Sequence, residues 1–223
     1  MDSNRKTAII VGVLFIIATV AFSLSEVILP PILDDPDYLI DVSANENQVI
    51  IGALLVLIDV VAVAGIGIVM YPILKNHNET LAFGYAGARI AEGVLFSVNV
   101  IPILTLLTLS KEFVMEGAPD ASYYQTLGTL LIAAGDWAFL LGFGVAFTLS
   151  ALILNFVLYQ SKLVPRWLSG WGFVGAALLW VYYLLQFFGT NPVEILFYPI
   201  AVQEMVFAVW LIVKGFNPSA IKA

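Results

Sequence analysis

Six long apolar stretches separated by short polar turns dominate the chain, at residues 7–29, 48–74, 80–109, 123–159, 168–188 and 193–214. A membrane-crossing helix needs about 20 mainly apolar residues. The pattern therefore predicts an all-α fold: a polytopic membrane helical bundle of six transmembrane helices, forming a single domain over residues 1–223. Six crossings put both termini on one side. The first stretch is longer than a signal-peptide core of about 7 to 15 residues. It is read as a retained span, although Ala21-Phe22-Ser23 has the small-x-small form of a cleavage site.

Polar residues refine the boundaries. Ser43-Ala44-Asn45-Glu46 has the spacing of a capping box before span two, and Asn191-Pro192-Val193-Glu194 reads as a cap and helix start for span six. Trp167, Trp171, Tyr71, Tyr123, Tyr124, Tyr159 and Tyr198 lie near span ends, where amphipathic rings anchor at headgroup level. Span four would be roughly 55 Å long as one helix, against a hydrocarbon core of about 30 Å. An interfacial first segment, a bend near Gly135 and a crossing from residue 137 are expected. Pro102 and Pro199 predict two further bends, freeing the carbonyls of Val98 and Ile195.

Charge sets the expected orientation. Arg5, Lys6, Lys75, Lys162, Arg166, Lys214 and Lys222 fall on one side and Lys111 alone on the other. By the positive-inside rule the N and C termini are expected to be cytoplasmic. Asp34, Asp35, Asp37, Asp41, Glu46, Glu112, Glu116, Asp120 and Glu194 then form acidic loops on the extracytoplasmic side of a multi-pass cell-membrane protein. The loop at 30–47 is expected to be solvated.

Of the 223 residues 61% are hydrophobic and 11% charged, with no Cys and one His. Disulfides, thiolate nucleophiles and metal sites built on several Cys or His are excluded. His77 sits in a polar turn and reads as solvated. No span carries a central Lys for a Schiff base, and phosphate-loop, dinucleotide and nucleophile-elbow motifs are missing. Neither a metal site nor a cofactor is expected. The thinly spread cations give no basis for nucleic-acid binding.

The informative residues are the charges inside the spans: Glu26, Asp59, Glu92, Asp136 and Glu204 against Arg89 alone. Each charge at the bilayer centre costs about 2.5 to 3.5 kcal/mol or more, so such residues face a bundle interior or a wet cavity. Asp59, Arg89 and Glu204 lie roughly 14 to 16 Å into their spans, near the midplane, while Glu26 and Asp136 lie near the outer boundary. Tyr85, Arg89, Glu92, Phe96 and Asn99 recur at spacings of three and four and share one helical face. Gly84 and Ala88 form a small-xxx-small pair suited to close helix approach. Arg89 and Glu92 can pair. Gln203 beside Glu204, Gln186, Asn155 and Ser150 supply polar neighbours.

Three stretches together carry a family resemblance: Gly84-Tyr85-Ala86-Gly87-Ala88-Arg89-Ile90-Ala91-Glu92; Asp136-Trp137-Ala138-Phe139-Leu140-Leu141-Gly142 with Leu163-Val164-Pro165-Arg166-Trp167-Leu168; and Gln203-Glu204-Met205 leading to Trp210-Leu211-Ile212-Val213-Lys214-Gly215-Phe216. The chain resembles the domain-of-unknown-function 4386 family of bacterial and archaeal integral membrane proteins. The resemblance implies a multi-span helical protein and no established activity. It runs through Arg89, Glu92, Asp136 and Glu204.

Three functional readings stay open. The leading one is a polar pocket between spans two, three and six, lined by Asp59, Tyr85, Arg89, Glu92, Asn99, Asp136, Gln203 and Glu204. It would bind and translocate a small cationic or amphiphilic molecule or a proton. The second is a structural or assembly protein whose charges fix helix register, with a homo-oligomer open to it. The third is a membrane enzyme acting on lipid or isoprenoid substrates. Expected partners are the lipid bilayer and a small-molecule or lipid ligand.

Overall fold

A computed structural model describes residues 3–119 and 123–221. Asp120 and Lys222, assigned above to opposite sides of the membrane, lie outside the described residues. Among the described residues, six helical spans are long and apolar enough to cross a bilayer: Ser3–Leu33, Glu46–Leu74, Glu79–Met115, Tyr123–Ser161, Arg166–Phe187 and Glu194–Val213. The α-helices are α1 (Ser3–Ile28), α2 (Pro30–Leu33), α3 (Tyr38–Ala44), which lies between the first two spans, α4 (Glu46–Leu74), α5 (Glu79–Met115), α6 (Tyr123–Phe139), α7 (Thr148–Ser161), α8 (Arg166–Phe187) and α9 (Tyr198–Val213), with a terminal turn, α10 (Pro218–Ile221).

Lipid tails are as apolar as leucine, so helices in a membrane associate through close packing of small residues and polar ties. Both are present. A Cβ on Gly67 of α4 would lie 2.8 Å from Arg89 Cβ of α5, and one on Gly12 of α1 would lie 2.6 Å from the Ala208 carbonyl of α9. These glycines bring α4 onto α5 and α1 onto α9. Gly84, predicted as a contact point, meets only Ile153 at an ordinary 3.6 Å. The outward faces of the spans carry Val20, Val61, Ile101 and Val209, each at least half exposed, as a lipid-facing surface requires.

At the end of the bundle holding the termini, Arg5 closes the last turn of α9. Its guanidinium donates to the carbonyls of Leu211 (2.9 Å), Ile212 (2.5 Å) and Val213 (3.2 Å). Those carbonyls have no partner within the helix, and a cation there also complements the helix dipole. Arg5→Gln is expected to cost about 1–2 kcal/mol, read as a drop of several degrees in thermal unfolding in detergent. Lys6→Gln, on an exposed neighbour, should leave the midpoint unchanged.

The opposite, acidic end departs most from expectation. Residues 30–47 are not a solvated loop, because α2 and α3 bury Ile32, Leu39 and Val42 against α5 and α6. Tyr38 Oη donates to the Gln125 carbonyl at 3.0 Å, and the missing side chain of Gly128 makes room for the ring. Ser110 Oγ donates to the Leu39 carbonyl, and Lys111 pairs with Glu46. Since Ser43 lies within α3, the predicted capping box does not form. Asn45 instead turns the chain between two helices, and its amide donates to the Asp41 carbonyl at 2.9 Å. Tyr124, predicted as an interfacial anchor, is buried against Phe113 with ring centroids 5.5 Å apart.

Two other local expectations shift. Asn191 does not cap span six, which begins with a 3-10 turn at Glu194–Leu196 before α9. Pro199 therefore stands in the first turn of α9, where its missing N–H leaves nothing unpaired. No kink arises there. In span four the irregularity lies beyond Gly135, as a π-helical segment over Leu140–Phe147. Thr148 Oγ1 donates to the Phe143 carbonyl at 3.0 Å within this widened turn. Gly142 and Gly144 let it fit against Phe96 and Tyr183, to which any Cβ would come within 2.9 Å. Pro102 lies within the continuous α5.

Candidate functional site

The polar face of α5 turns into the bundle. Tyr85, Arg89, Glu92 and Phe96 are all buried, and Asn99 is half-buried toward the acidic end. The close α4–α5 crossing at Gly67 and Gly93 sets Asp59 of α4 in the same layer, and α9 brings Glu204 from the other side. Arg89 Nη1 meets Glu92 Oε2 at 3.2 Å, one helical turn away, while Nη2 meets Glu204 Oε1 at 3.1 Å. The guanidinium is also packed between the rings of Phe147 and Phe15, 5.1 and 5.3 Å to their centroids, with Tyr85 at 5.8 Å. Arg89 Nε and Tyr85 Oη make no hydrogen bond among the described residues.

One cation thus satisfies two acids, and a third acid remains. Asp59 is 3% exposed and joins neither pair. Asp59 lines two cavities. One, of about 300 Å³, opens among Glu26, Asp34 and Asp136 at the acidic end and runs inward past Asn99 to Asp59. The other, of about 110 Å³, holds Arg89, Glu92 and Glu204 and also reaches Asp59. Phe22 and Phe96 line both and form the partition. A buried carboxylate without a protein donor is stable only with a proton, a cation or water beside it.

The residues singled out in the sequence divide accordingly. Asp59, Arg89, Glu92 and Glu204 converge. Asn99 and Asp136 line the larger cavity, where the Asn99 amide donates to the Gly135 carbonyl at 2.8 Å. Tyr85 lines neither cavity and packs behind Arg89. Gln203 points away, donating to Asn155 Oδ1 at 3.4 Å and to the Leu168 carbonyl at 3.2 Å, so it ties α9 to α7 and α8.

Sequence reasoning missed the aromatic wall. Phe22, Phe96, Phe139 and Phe143 stack with centroids 5.3 to 6.5 Å apart and ring planes within 21° of one another. The available signal was the four-residue spacing of Phe139, Phe143 and Phe147. Their shared aspect depends on the π-helical turn, which no periodicity argument anticipates.

The family model described as Domain of unknown function (DUF4386) matches residues 10–215. The chain belongs to the DUF4386 family. Every residue lining the two cavities lies inside the matched region. Comparison with curated proteins and with solved structures finds no match for the chain.

Proposed function

We propose that this multi-span membrane protein binds a small cationic or amphiphilic molecule in the cavity that ends on Asp59, with the acidic mouth facing outward and the termini in the cytoplasm. One observation carries the reading: among the described residues Asp59 is buried, joins no ion pair and lines both cavities, while Arg89 is taken up by Glu92 and Glu204. The mouth acids attract a cation, and the Phe22, Phe96 and Phe139 walls suit an apolar portion. The larger volume lies at the lower end of small-molecule pockets. Because both cavities reach Asp59, the reading extends to translocation of the same molecule or a proton, which uptake into proteoliposomes checks.

The Arg89 pairs support a structural role for those three residues within the same protein. The Arg89–Glu204 pair locks α5 to α9 while Glu92, one turn along α5, holds the other end of the guanidinium, and the ligand contact passes to Asp59.

Calorimetric titration of the protein in nanodiscs tests the binding. Hexylammonium and benzylammonium are expected to bind at least about tenfold more tightly than hexanol and benzyl alcohol, about 1.4 kcal/mol. Asp59→Asn should erase that preference while leaving the unfolding midpoint near wild type. Equal binding of amines and alcohols, or an undiminished preference in the variant, would overturn the reading.

A further inference from the structure

A second cavity system lies at the other end of the molecule and is separate from the Asp59 site. The loop between α7 and α8 and the loop after α9 are drawn together by Asn217, whose backbone N–H donates to the Leu163 carbonyl at 2.8 Å and whose amide donates to the Lys162 carbonyl at 3.2 Å. Left-handed backbone at Lys162 (φ 57°) and Gly215 (φ 75°) makes both turns sharp enough to meet. Between them is an open cavity of about 480 Å³ lined by Lys162, Arg166, Lys214 and Trp210.

Three cations from two separate loops surround this one space, and no carboxylate lines it. None of the three forms an ion pair among the described residues. Arg166 is steadied from behind by the Tyr159 ring, 5.1 Å from its guanidinium carbon. Pro165 gives α8 no side-chain cap, so the positive end of that helix adds to the same field. Like charges held around one cavity repel unless an anion joins them. The rim is of the kind that meets lipid: Trp167 stands edge-on to Trp210 at 6.2 Å and is more than half exposed, as is Val213. Indole rings favour the headgroup level, and basic pockets between helices at that level suit anionic headgroups.

We propose that this cavity binds the phosphate of an anionic phospholipid headgroup, with Lys162, Arg166 and Lys214 contacting the phosphate and the Trp167–Trp210 pair flanking the glycerol and upper acyl chain. The chemistry recognised is a phosphate ester carrying net negative charge. Phosphatidylcholine, which is zwitterionic, is disfavoured.

Native mass spectrometry of the full-length protein, exchanged into equal phosphatidylglycerol and phosphatidylcholine, tests this directly. Wild type is expected to retain phosphatidylglycerol preferentially. Lys162→Gln and Lys214→Gln should each reduce the preference about fivefold, as expected for one interfacial cation. Both lysines are exposed, so folding should be preserved, and an unchanged thermal midpoint verifies it. Lys75→Gln, another exposed cation at the same end, should leave the preference intact. An equal loss on Lys75→Gln would assign the effect to general surface charge and overturn the site. An unchanged preference in the Lys162 and Lys214 variants would overturn it as well. Displacement of the lipid by millimolar inorganic phosphate would overturn the lipid source and make a soluble phosphate the ligand.

Discussion

Arg89→Gln is expected to be the most damaging single substitution in the protein, lowering stability by about 3–5 kcal/mol. Arg89 is fully buried and its two terminal nitrogens hold Glu92 and Glu204. Removing it leaves three acids and no cation in a medium that solvates charge poorly, and the cost comes chiefly from the carboxylates left behind. A large drop in the unfolding midpoint in detergent, with diminished yield, is the expected result. Adding Glu92→Gln to Arg89→Gln should recover part of the loss, because an amide needs less compensation than a stranded carboxylate. That recovery separates charge imbalance from lost packing against Phe15 and Phe147. A midpoint within a degree or two of wild type for the single variant would mean that the Arg89–Glu204 pair does not hold α5 to α9.

Gly67→Val is expected to be the second most damaging change. The first carbon of any side chain at this position would stand 2.8 Å from Arg89 Cβ and 3.4 Å from the Ala86 backbone. Neither neighbour is the loose end of a flexible chain. Helices α4 and α5 must therefore move apart, and overpacking of this kind typically costs about 1–3 kcal/mol, with more where backbone must shift. Separation of the two helices also carries Asp59 away from the Arg89 layer, so the variant should lose amine binding along with stability. Gly87, on the exposed face of α5 opposite Arg89, has nothing within 4 Å of its missing Cβ. Gly87→Ala should then be neutral or stabilising by up to about 1 kcal/mol through helix propensity. Thermal unfolding of both variants under one set of conditions makes the comparison, and equal effects would remove the close crossing as an explanation.

The six spans were legible because bilayer thickness imposes a length and a composition that hydropathy registers directly. The buried face of α5 was legible for a similar reason: an Arg, a Glu and an Asn at helical spacing inside an apolar stretch are too costly to face lipid. Local signals served less well where two elements competed for the same residues. Ser43 and Glu46 have capping spacing, yet the segment before them folds into α3, whose apolar side has α5 and α6 to cover it. Pro199 has the look of a mid-span kink, yet the helix begins immediately before it. Tyr124 is an interfacial type of residue, but the docking of α3 and the length of α5 put protein where lipid was expected.

The all-helical, six-span character, the family and the set of acids that exceed the single central arginine are all written in the order of residues along the chain. How those charges divide follows from the packing of the helices. Arg89 can reach any of three acids by sequence depth, but the crossing at Gly67 and the position of α9 direct it to Glu92 and Glu204 and leave Asp59 facing a cavity. The physical reason is that depth along a helix follows from residue number at a fixed rise, whereas the rotation and separation of neighbouring helices depend on contacts between residues far apart in the chain.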